Sequence, residues 1–216
     1  MLTLVVGAHA QSTVRASTLL GTPTDGSTCS GRDLQTNTTI RVSMSQSGAQ
    51  GNGDGFSNAM SADGRYIAFA SYATNLVSKD TNGTLDVFVR DCQSNTTERV
   101  SVDSTGKQGT GPSGLGNTGG WGVSMSADGR FVAFQSEANN LIGKNKDTNG
   151  VSDVFVRDRQ LNKTARASVT ASGAQSNGAS TVPSISDDVQ TVMFVSAATN
   201  LVSGDTNGKQ DVFVRG

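Results

Sequence analysis

The stretch Ser61-Ala-Asp-Gly-Arg-Tyr-Ile-Ala-Phe69 decides the fold, because the chain repeats it. It recurs as Ser126-Ala-Asp-Gly-Arg-Phe-Val-Ala-Phe134 and, in a more divergent form, as Ser186-Asp-Asp-Val-Gln-Thr-Val-Met-Phe194. Three further blocks follow each copy in the same order. They are Ala-x-Asn-Leu (73–76, 138–141, 198–201), Asp-Thr-Asn-Gly (80–83, 147–150, 205–208) and Asp-Val-Phe-Val-Arg (86–90, 153–157, 211–215). Chance does not produce such an order three times, so the chain is built of repeats.

Within one repeat, the apolar residues follow the period of β-strands. Residues 66–69 form a short apolar run after an Asp-Gly turn, and residues 86–90 form a second run. Residues 97–102 alternate polar and apolar side chains like a half-exposed outer strand, and residues 55–60 precede the turn as a fourth strand. Four antiparallel strands in about 60 residues predict one blade of a β-propeller.

The repeat units resemble the WD-like, TolB-type β-propeller repeat, whose core is a Ser-x-Asp-Gly-x-x-Ile-Ala-Phe strand. The resemblance extends over roughly residues 38–216. The copies that begin at Ser61 and Ser126 match well, whereas the third has Asp188-Val189 in place of Asp-Gly. The resemblance implies an all-β fold of four-stranded antiparallel blades, and it says little about the task that the blades perform.

The sequence divides into two regions. Residues 38–216 hold three recognisable blades, at about 38–102, 103–169 and 170–216. Residues 1–37 are degenerate and have several interpretations. They are a worn blade, or the remnant of a signal peptide, since the apolar residues 2–10 end in Ala8-His9-Ala10. A first β-strand in this apolar run is the third interpretation.

The third repeat ends at Arg215-Gly216 and lacks a fourth strand, whereas residues 39–44 resemble the fourth strands at 97–102 and 164–169. A closed ring of three blades falls below the four to eight blades of known propellers. We therefore expect an incomplete ring, either a fragment of a longer protein or a half-ring. Open edge strands would let a half-ring pair with another copy of the chain as a homo-oligomer.

The repeated Asp-Thr-Asn-Gly-x-x-Asp loop is the best candidate site. Calcium prefers several oxygen ligands from one tight loop, and this spacing resembles the calcium loops of integrin-type propellers. Two carboxylates in each loop imply weak binding, at millimolar calcium. The alternative is a structural turn, because Asp and Asn-Gly favour hairpin loops. The candidate ligands are Asp80, Asn82 and Asp86; Asn145, Asp147, Asn149 and Asp153; and Asp205, Asn207 and Asp211.

Composition and motifs speak against several classes of function. Charged residues make up 16% of the chain and the net charge is −1, without the basic stripe of a nucleic-acid-binding protein. No stretch has the length of a membrane span, so we expect no membrane insertion. The single histidine, His9, lies in the degenerate region, and no Gly-x-Ser-x-Gly motif occurs. These features predict a protein that is not an enzyme.

The sequence therefore predicts a binding or scaffold propeller that holds a protein or glycan ligand on loops at one end. Cys29 and Cys92 fit an exported protein, periplasmic or extracellular, although they do not establish it. One alternative is the propeller portion of a larger, peptidase-like hydrolase, because TolB-type repeats also occur beside peptidase domains. Another is a truncated fragment without a separate activity.

Overall fold

The computed structural model describes residues 39–114, 122–144 and 146–216. These residues form eleven β-strands and no helix. The degenerate region 1–37, with Cys29, lies outside the described residues, as does Asn145. The strands are β1 (Gly55–Met60), β2 (Tyr66–Ser71), β3 (Asp86–Asp91), β4 (Thr96–Arg99), β5 (Val123–Met125), β6 (Phe131–Ser136), β7 (Asp153–Asp158), β8 (Lys163–Arg166), β9 (Ser180–Ile185), β10 (Val192–Ser196) and β11 (Asp211–Arg215).

The strands pair in three antiparallel sheets, and each sheet keeps the order of the sequence. The first contains β1–β4, the second β5–β8 and the third β9–β11. The same register recurs in each, since a phenylalanine of the second strand lies opposite one of the third (Phe69 and Phe88, Phe134 and Phe155, Phe194 and Phe213). The all-β fold of propeller blades is thereby confirmed, and the third blade has three strands, so the ring is not closed.

The turn between the first two strands of each blade is held by a serine and an aspartate. In the first blade, the Ser61 hydroxyl donates to Asp63 Oδ1 at 2.6 Å, and the same carboxylate oxygen accepts the amide of Arg65. The position after the aspartate needs a left-handed backbone, and glycine occupies it as Gly64 (φ 74°) and Gly129 (φ 71°). In the third blade Val189 takes the same conformation, with φ 63°. The fold therefore imposes this turn even where the glycine is missing.

Each blade has a phenylalanine face and a valine face, because alternate residues of a strand point to opposite sides. The valine face of the first blade (Val87, Val89) packs against the phenylalanine face of the second (Phe134, Phe155). Val154 and Val156 of the second blade pack in the same way on Phe194 and Phe213 of the third. The two largest clusters of the core are thus inter-blade layers of one polarity, in which the valine face always packs on the blade that follows in the sequence, and a smaller cluster buries Phe69 and Phe88 on the first blade.

This polarity leaves different surfaces at the two ends of the row of blades. On the third blade, the valine face remains uncovered, and Val212 and Val214 are 65% and 67% exposed, whereas the equivalent Val87 is 0% exposed. On the first blade, Ile40 and Val42 cover part of the phenylalanine face by packing near Ile67 and Cys92. Within the described ranges there is no helix with the length and apolarity that crossing a lipid bilayer requires.

Candidate functional site

All connections that carry the Asp-Thr-Asn-Gly motif lie at one end of the blades. They join the second and third strands, at 72–85, 137–152 and 197–210. The loops between blades lie at the same end, because the fourth strand of each blade ends there and the next first strand begins there. We call it the amide end, after its asparagines. The opposite end carries the Asp-Gly turns and the turns between the third and fourth strands.

In the first blade, the motif closes around an arginine. Asp86 is fully buried, and its Oδ2 accepts from Asn82 Nδ2 at 3.0 Å and from Arg99 Nη1 at 3.2 Å. The same Nη1 lies 3.2 Å from Asp80 Oδ1. The Ser101 hydroxyl donates to the other oxygen of Asp86 at 2.5 Å. A guanidinium therefore lies between the two carboxylates that the sequence offers as calcium ligands.

The second blade repeats this arrangement with Arg166. Its Nη1 donates to Asp153 Oδ2 at 3.0 Å and lies 3.5 Å from Asp147 Oδ1. Asn149 Nδ2 donates to Asp153 at 3.1 Å, and the Ser168 hydroxyl donates at 2.5 Å. We name these groups the first and second aspartate–arginine clusters: Asp80, Asn82, Asp86 and Arg99, and Asp147, Asn149, Asp153 and Arg166.

The third loop has the aspartates and the asparagine in the same relation. Asn207 Nδ2 donates to Asp211 Oδ2 at 2.9 Å, as Asn82 does to Asp86. Asp211 is partly exposed rather than buried, and among the residues that the structure describes no arginine pairs with it or with Asp205. In the first two blades this partner comes from the fourth strand, and the described residues give the third sheet only three strands.

Burial sets the electrostatics of the clusters. Loss of solvation raises the pKa of Asp86, although the Ser101 hydroxyl and the charge of Arg99 act in the opposite direction. Burial also raises the pKa of Asp80, and in the second blade burial and the charge of Asp153 raise the pKa of Asp147. Two carboxylates in a poorly solvated loop need a cation, and the arginine supplies one.

The sequence identified the aspartates and asparagines of the clusters but missed Arg99, Arg166, Ser101 and Ser168. A signal for them was present, since Thr-x-Arg-x-Ser occurs in both fourth strands, at 97–101 and 164–168. In the described part of the chain, no group of three or more His, Cys, Asp or Glu side chains converges as a metal site. The clusters favour structural turns in the first two blades, and calcium binding stays a prediction.

Asparagine side chains also brace the amide end. In the first blade, Thr74 donates its amide to Asn52 Oδ1 at 2.8 Å, and Asn52 Nδ2 donates to the Thr74 hydroxyl at 3.0 Å. Asn75 Nδ2 donates to the Gln50 carbonyl at 2.8 Å. The equivalent side chains of the other blades are Asn140, which bonds the Gln108 carbonyl, and Asn200, which bonds the Gln175 carbonyl. Side-chain amides, exposed in the first and third blades and half-buried in the second, are therefore held in fixed positions.

An exposed aromatic pair lies beside the amides of the first blade. Phe56 and Tyr72 are 37% and 46% exposed, and their rings meet edge to face with centroids 5.9 Å apart. Phe56 lies near the start of β1 and Tyr72 directly follows β2, so both belong to the amide end. Exposed rings next to fixed hydrogen-bonding groups form a surface suited to recognition.

No protein-family profile and no curated protein matches the sequence. Solved structures do resemble it in fold. TolB from Acinetobacter baumannii is 17% identical with a TM-score of 0.42, over 75% of this chain and 29% of that one. The putative TolB from Agrobacterium tumefaciens is 15% identical with a TM-score of 0.43, over 74% of this chain and 50% of that one. The β-propeller domain of the Trilobed protease from Pyrococcus furiosus is 14% identical with a TM-score of 0.38, over 66% and 33%. This chain thus spans half or less of each of these proteins.

Proposed function

We propose that the chain is a non-enzymatic binding or scaffold module that holds a protein or glycan ligand at the amide end of its blades. The observation that carries the proposal is the exposed pair Phe56–Tyr72 beside the braced amides of Asn52 and Asn75. Aromatic rings supply contact area with little conformational entropy to lose, and fixed amides supply directional hydrogen bonds. Both are needed to bind a polar ligand on an open surface.

The repeated polar residues support a scaffold rather than a catalyst. The buried carboxylates of Asp86 and Asp153 are engaged by arginine, asparagine and serine side chains. The carboxylates of Asp63 and Asp128 are engaged by the serine and the backbone amide of their own turns. These bonds hold strands and turns together. Peptide hydrolysis by the purified chain would contradict the non-enzymatic proposal and favour the peptidase-like alternative.

Export to the periplasm or the cell exterior is part of the proposal and depends on sequence features, chiefly the Ala8-His9-Ala10 pattern. Calcium binding is proposed for the third loop of the monomer, with Asp205, Asn207 and Asp211 as ligands, because there the described chain places no arginine beside the carboxylates. At the first two loops, Arg99 and Arg166 each already place a positive charge between the two aspartates.

Binding is tested by applying the purified chain to an array of glycans and an array of peptides from extracellular proteins. We expect a ligand that binds the wild type but not the Tyr72→Ala variant. Leu161→Ala is the matched control, since Leu161 is an exposed apolar residue at the opposite end of the blades. Binding that survives both Tyr72→Ala and Phe56→Ala would move the site elsewhere. No binding on either array would overturn the proposed function.

A further inference from the structure

The motif Thr-x-Arg-x-Ser of the fourth strands occurs a third time, as Thr39-Ile-Arg-Val-Ser43. In the two complete blades, the arginine and the serine of this motif bind the buried aspartate of their own blade. Arg41 and Ser43 lie instead before the first blade. Arg41 is exposed and donates to Gln50 Oε1 at 2.7 Å, so it binds no aspartate of this chain within the described residues.

Residues 43–51 contact the first blade in the same way as the residues after β4 contact the second blade. Arg90 Nη1 donates to the carbonyls of Met44 and Ser45, at 3.4 and 3.3 Å. The equivalent arginine of the second blade, Arg157, donates to the Asp103 carbonyl, which follows β4, at 3.2 Å.

Two further contacts repeat between the blades. The Thr97 hydroxyl donates to the Met44 carbonyl at 2.5 Å, as that of Thr164 does to the Val102 carbonyl at 2.6 Å. Isolated bridges join Met44 to Gln50 and Val102 to Gln108. Residues 39–43 are therefore located where the fourth strand of a preceding blade would run.

The third blade, at the other end of the row, has an open edge that a strand such as residues 39–43 could pair with. The edge of β11 is unpaired in the described chain, since the third sheet ends with this strand. A cleft of about 490 Å³ lies between β11 and the third loop, and its lining includes Asp205, Asn207 and Asp211. Val212 and Val214, which flank it, are exposed. This end therefore lacks a strand, a positive charge and an apolar cover.

We propose that two copies of the chain associate head to tail, so that residues 39–43 of each become the fourth strand of the third blade of the other. Arg41 of the partner subunit would pair with Asp205 and Asp211, and the partner's Ser43 would donate to Asp211. Asp205, Asn207 and Asp211 would then have the same kinds of partner as the residues of the first and second aspartate–arginine clusters. This inference does not depend on the proposed protein or glycan ligand, and it excludes calcium from the third loop of the dimer.

The apolar faces agree with the same arrangement. Within the chain, a valine face packs twice on the phenylalanine face of the next blade. Head-to-tail contact would cover the free valine face of the third blade with the first blade of the partner subunit, whose Phe69 and Phe88 are already buried with Leu76 in their own chain. Two such junctions close a twofold-symmetric ring of six blades, which lies within the usual range of four to eight.

Charge reversal tests the junction. Sedimentation velocity at micromolar concentration should give the wild type twice the chain mass of 22.2 kDa. We expect Arg41→Asp alone and Asp211→Arg alone to weaken association at least tenfold. An equimolar mixture of these two variants should recover the dimer, because each of the two junctions then joins one acidic and one basic residue.

The recovery in the mixture also shows that both variants are folded. Lys163→Asp, an exposed charge reversal on β8, is the matched control and should leave the dimer intact. A stable wild-type monomer at micromolar concentration would overturn the proposal. So would a mixture that stays monomeric, or masses that increase with concentration without reaching a limit, since the latter indicate an open filament.

Discussion

The Arg99 guanidinium and the Asp86 carboxylate form a buried ion pair at 3.2 Å, with side chains that are 9% and 0% exposed. The pair joins the last residue of the fourth strand to the first residue of the third strand, so it closes the blade at the amide end. Arg166 and Asp153 form the same pair at 3.0 Å in the second blade. A contact that recurs in this way indicates a structural unit of the repeat.

Removing the arginine should destabilise the blade strongly. Arg99→Met leaves the Asp86 carboxylate buried without its cation, and we expect a loss of about 3–5 kcal/mol in the free energy of unfolding. Urea denaturation at a protein concentration too low for association measures it. Arg41→Met is the matched control, because Arg41 is exposed and should change the stability of the monomer by less than about 0.5 kcal/mol. Equal effects of the two substitutions would contradict the structural role of Arg99.

The first valine of the Asp-Val-Phe-Val-Arg block should contribute differently to the free energy of unfolding in different blades. Val87→Ala removes methyl groups from the core between blades, and we expect a loss of about 2–3 kcal/mol. Val212→Ala alters an exposed side chain of the same motif and should cost less than about 0.5 kcal/mol in the monomer. Chemical denaturation at a protein concentration too low for association makes the comparison. A similar cost at both positions would contradict the uncovered valine face.

The turn at Val189 should be improved by the residue that the other blades use. A left-handed backbone costs a β-branched residue about 1–2 kcal/mol, and glycine avoids this cost but loses more entropy on folding. We therefore expect Val189→Gly to stabilise the chain by about 0.5–1 kcal/mol, as a higher denaturation midpoint. Gly64→Val in the first blade is the reciprocal control and should destabilise it by about 1–2 kcal/mol. A loss of stability in Val189→Gly would show that the side chain matters more than the backbone.

Stability should fall in acid because of an ion pair at the opposite end of the blades. Hydrogen bonds from Arg130, at 2.6 and 3.0 Å, lower the pKa of Asp158 in the folded state. The stabilisation is fully present above the unfolded pKa of about 4 and is lost as the pH falls from there through the lower folded pKa. Asp158→Asn should therefore flatten the dependence of stability on pH in this range.

The measurement is the denaturation midpoint at a series of pH values from 2 to 6. Asp91 provides a second test in the first blade. Burial by itself would raise the pKa of Asp91, but hydrogen bonds from Arg65 and from the backbone of Ser94 lower it overall. Asp91→Asn should also flatten the dependence of stability on pH in this range. If the denaturation midpoint of both variants depended on pH as steeply as that of the wild type, these ion pairs would have no role in acid denaturation.

In the monomer, calcium should act at the third loop only, because Arg41 of the partner subunit would occupy that loop in the dimer. The melts are therefore made at a protein concentration too low for association. A ligand at about 100 times its dissociation constant adds roughly 2.7 kcal/mol to stability, which is visible as a rise in melting temperature. We expect a rise in millimolar calcium that a chelator reverses and that Asp211→Ala abolishes. Asp86→Asn should keep the difference between calcium and chelator, because Arg99 already occupies the first loop. An unchanged wild-type melting temperature would leave all three loops as turns.

Some of this architecture could be read from local patterns. The Asp-Gly turn before 66–69 and the block at 86–90 predicted β2 and β3, and the missing fourth strand of the third blade was apparent from the order of the blocks. The turn at Val189 could not be predicted from its own residues, since valine disfavours a positive φ. Its conformation follows from the pairing of β9 with β10 around it.

By itself, the sequence determined the repeat, the strand pattern and the residue types of the candidate loop, because these depend on neighbours along the chain. Only the tertiary structure decided what the loop aspartates bind. Asp86 and Arg99 are separated by a whole strand and a turn, and antiparallel pairing of β3 with β4 brings their side chains together. Tertiary packing likewise decided that Val87 is core and Val212 is surface, since burial depends on whether another blade follows in space.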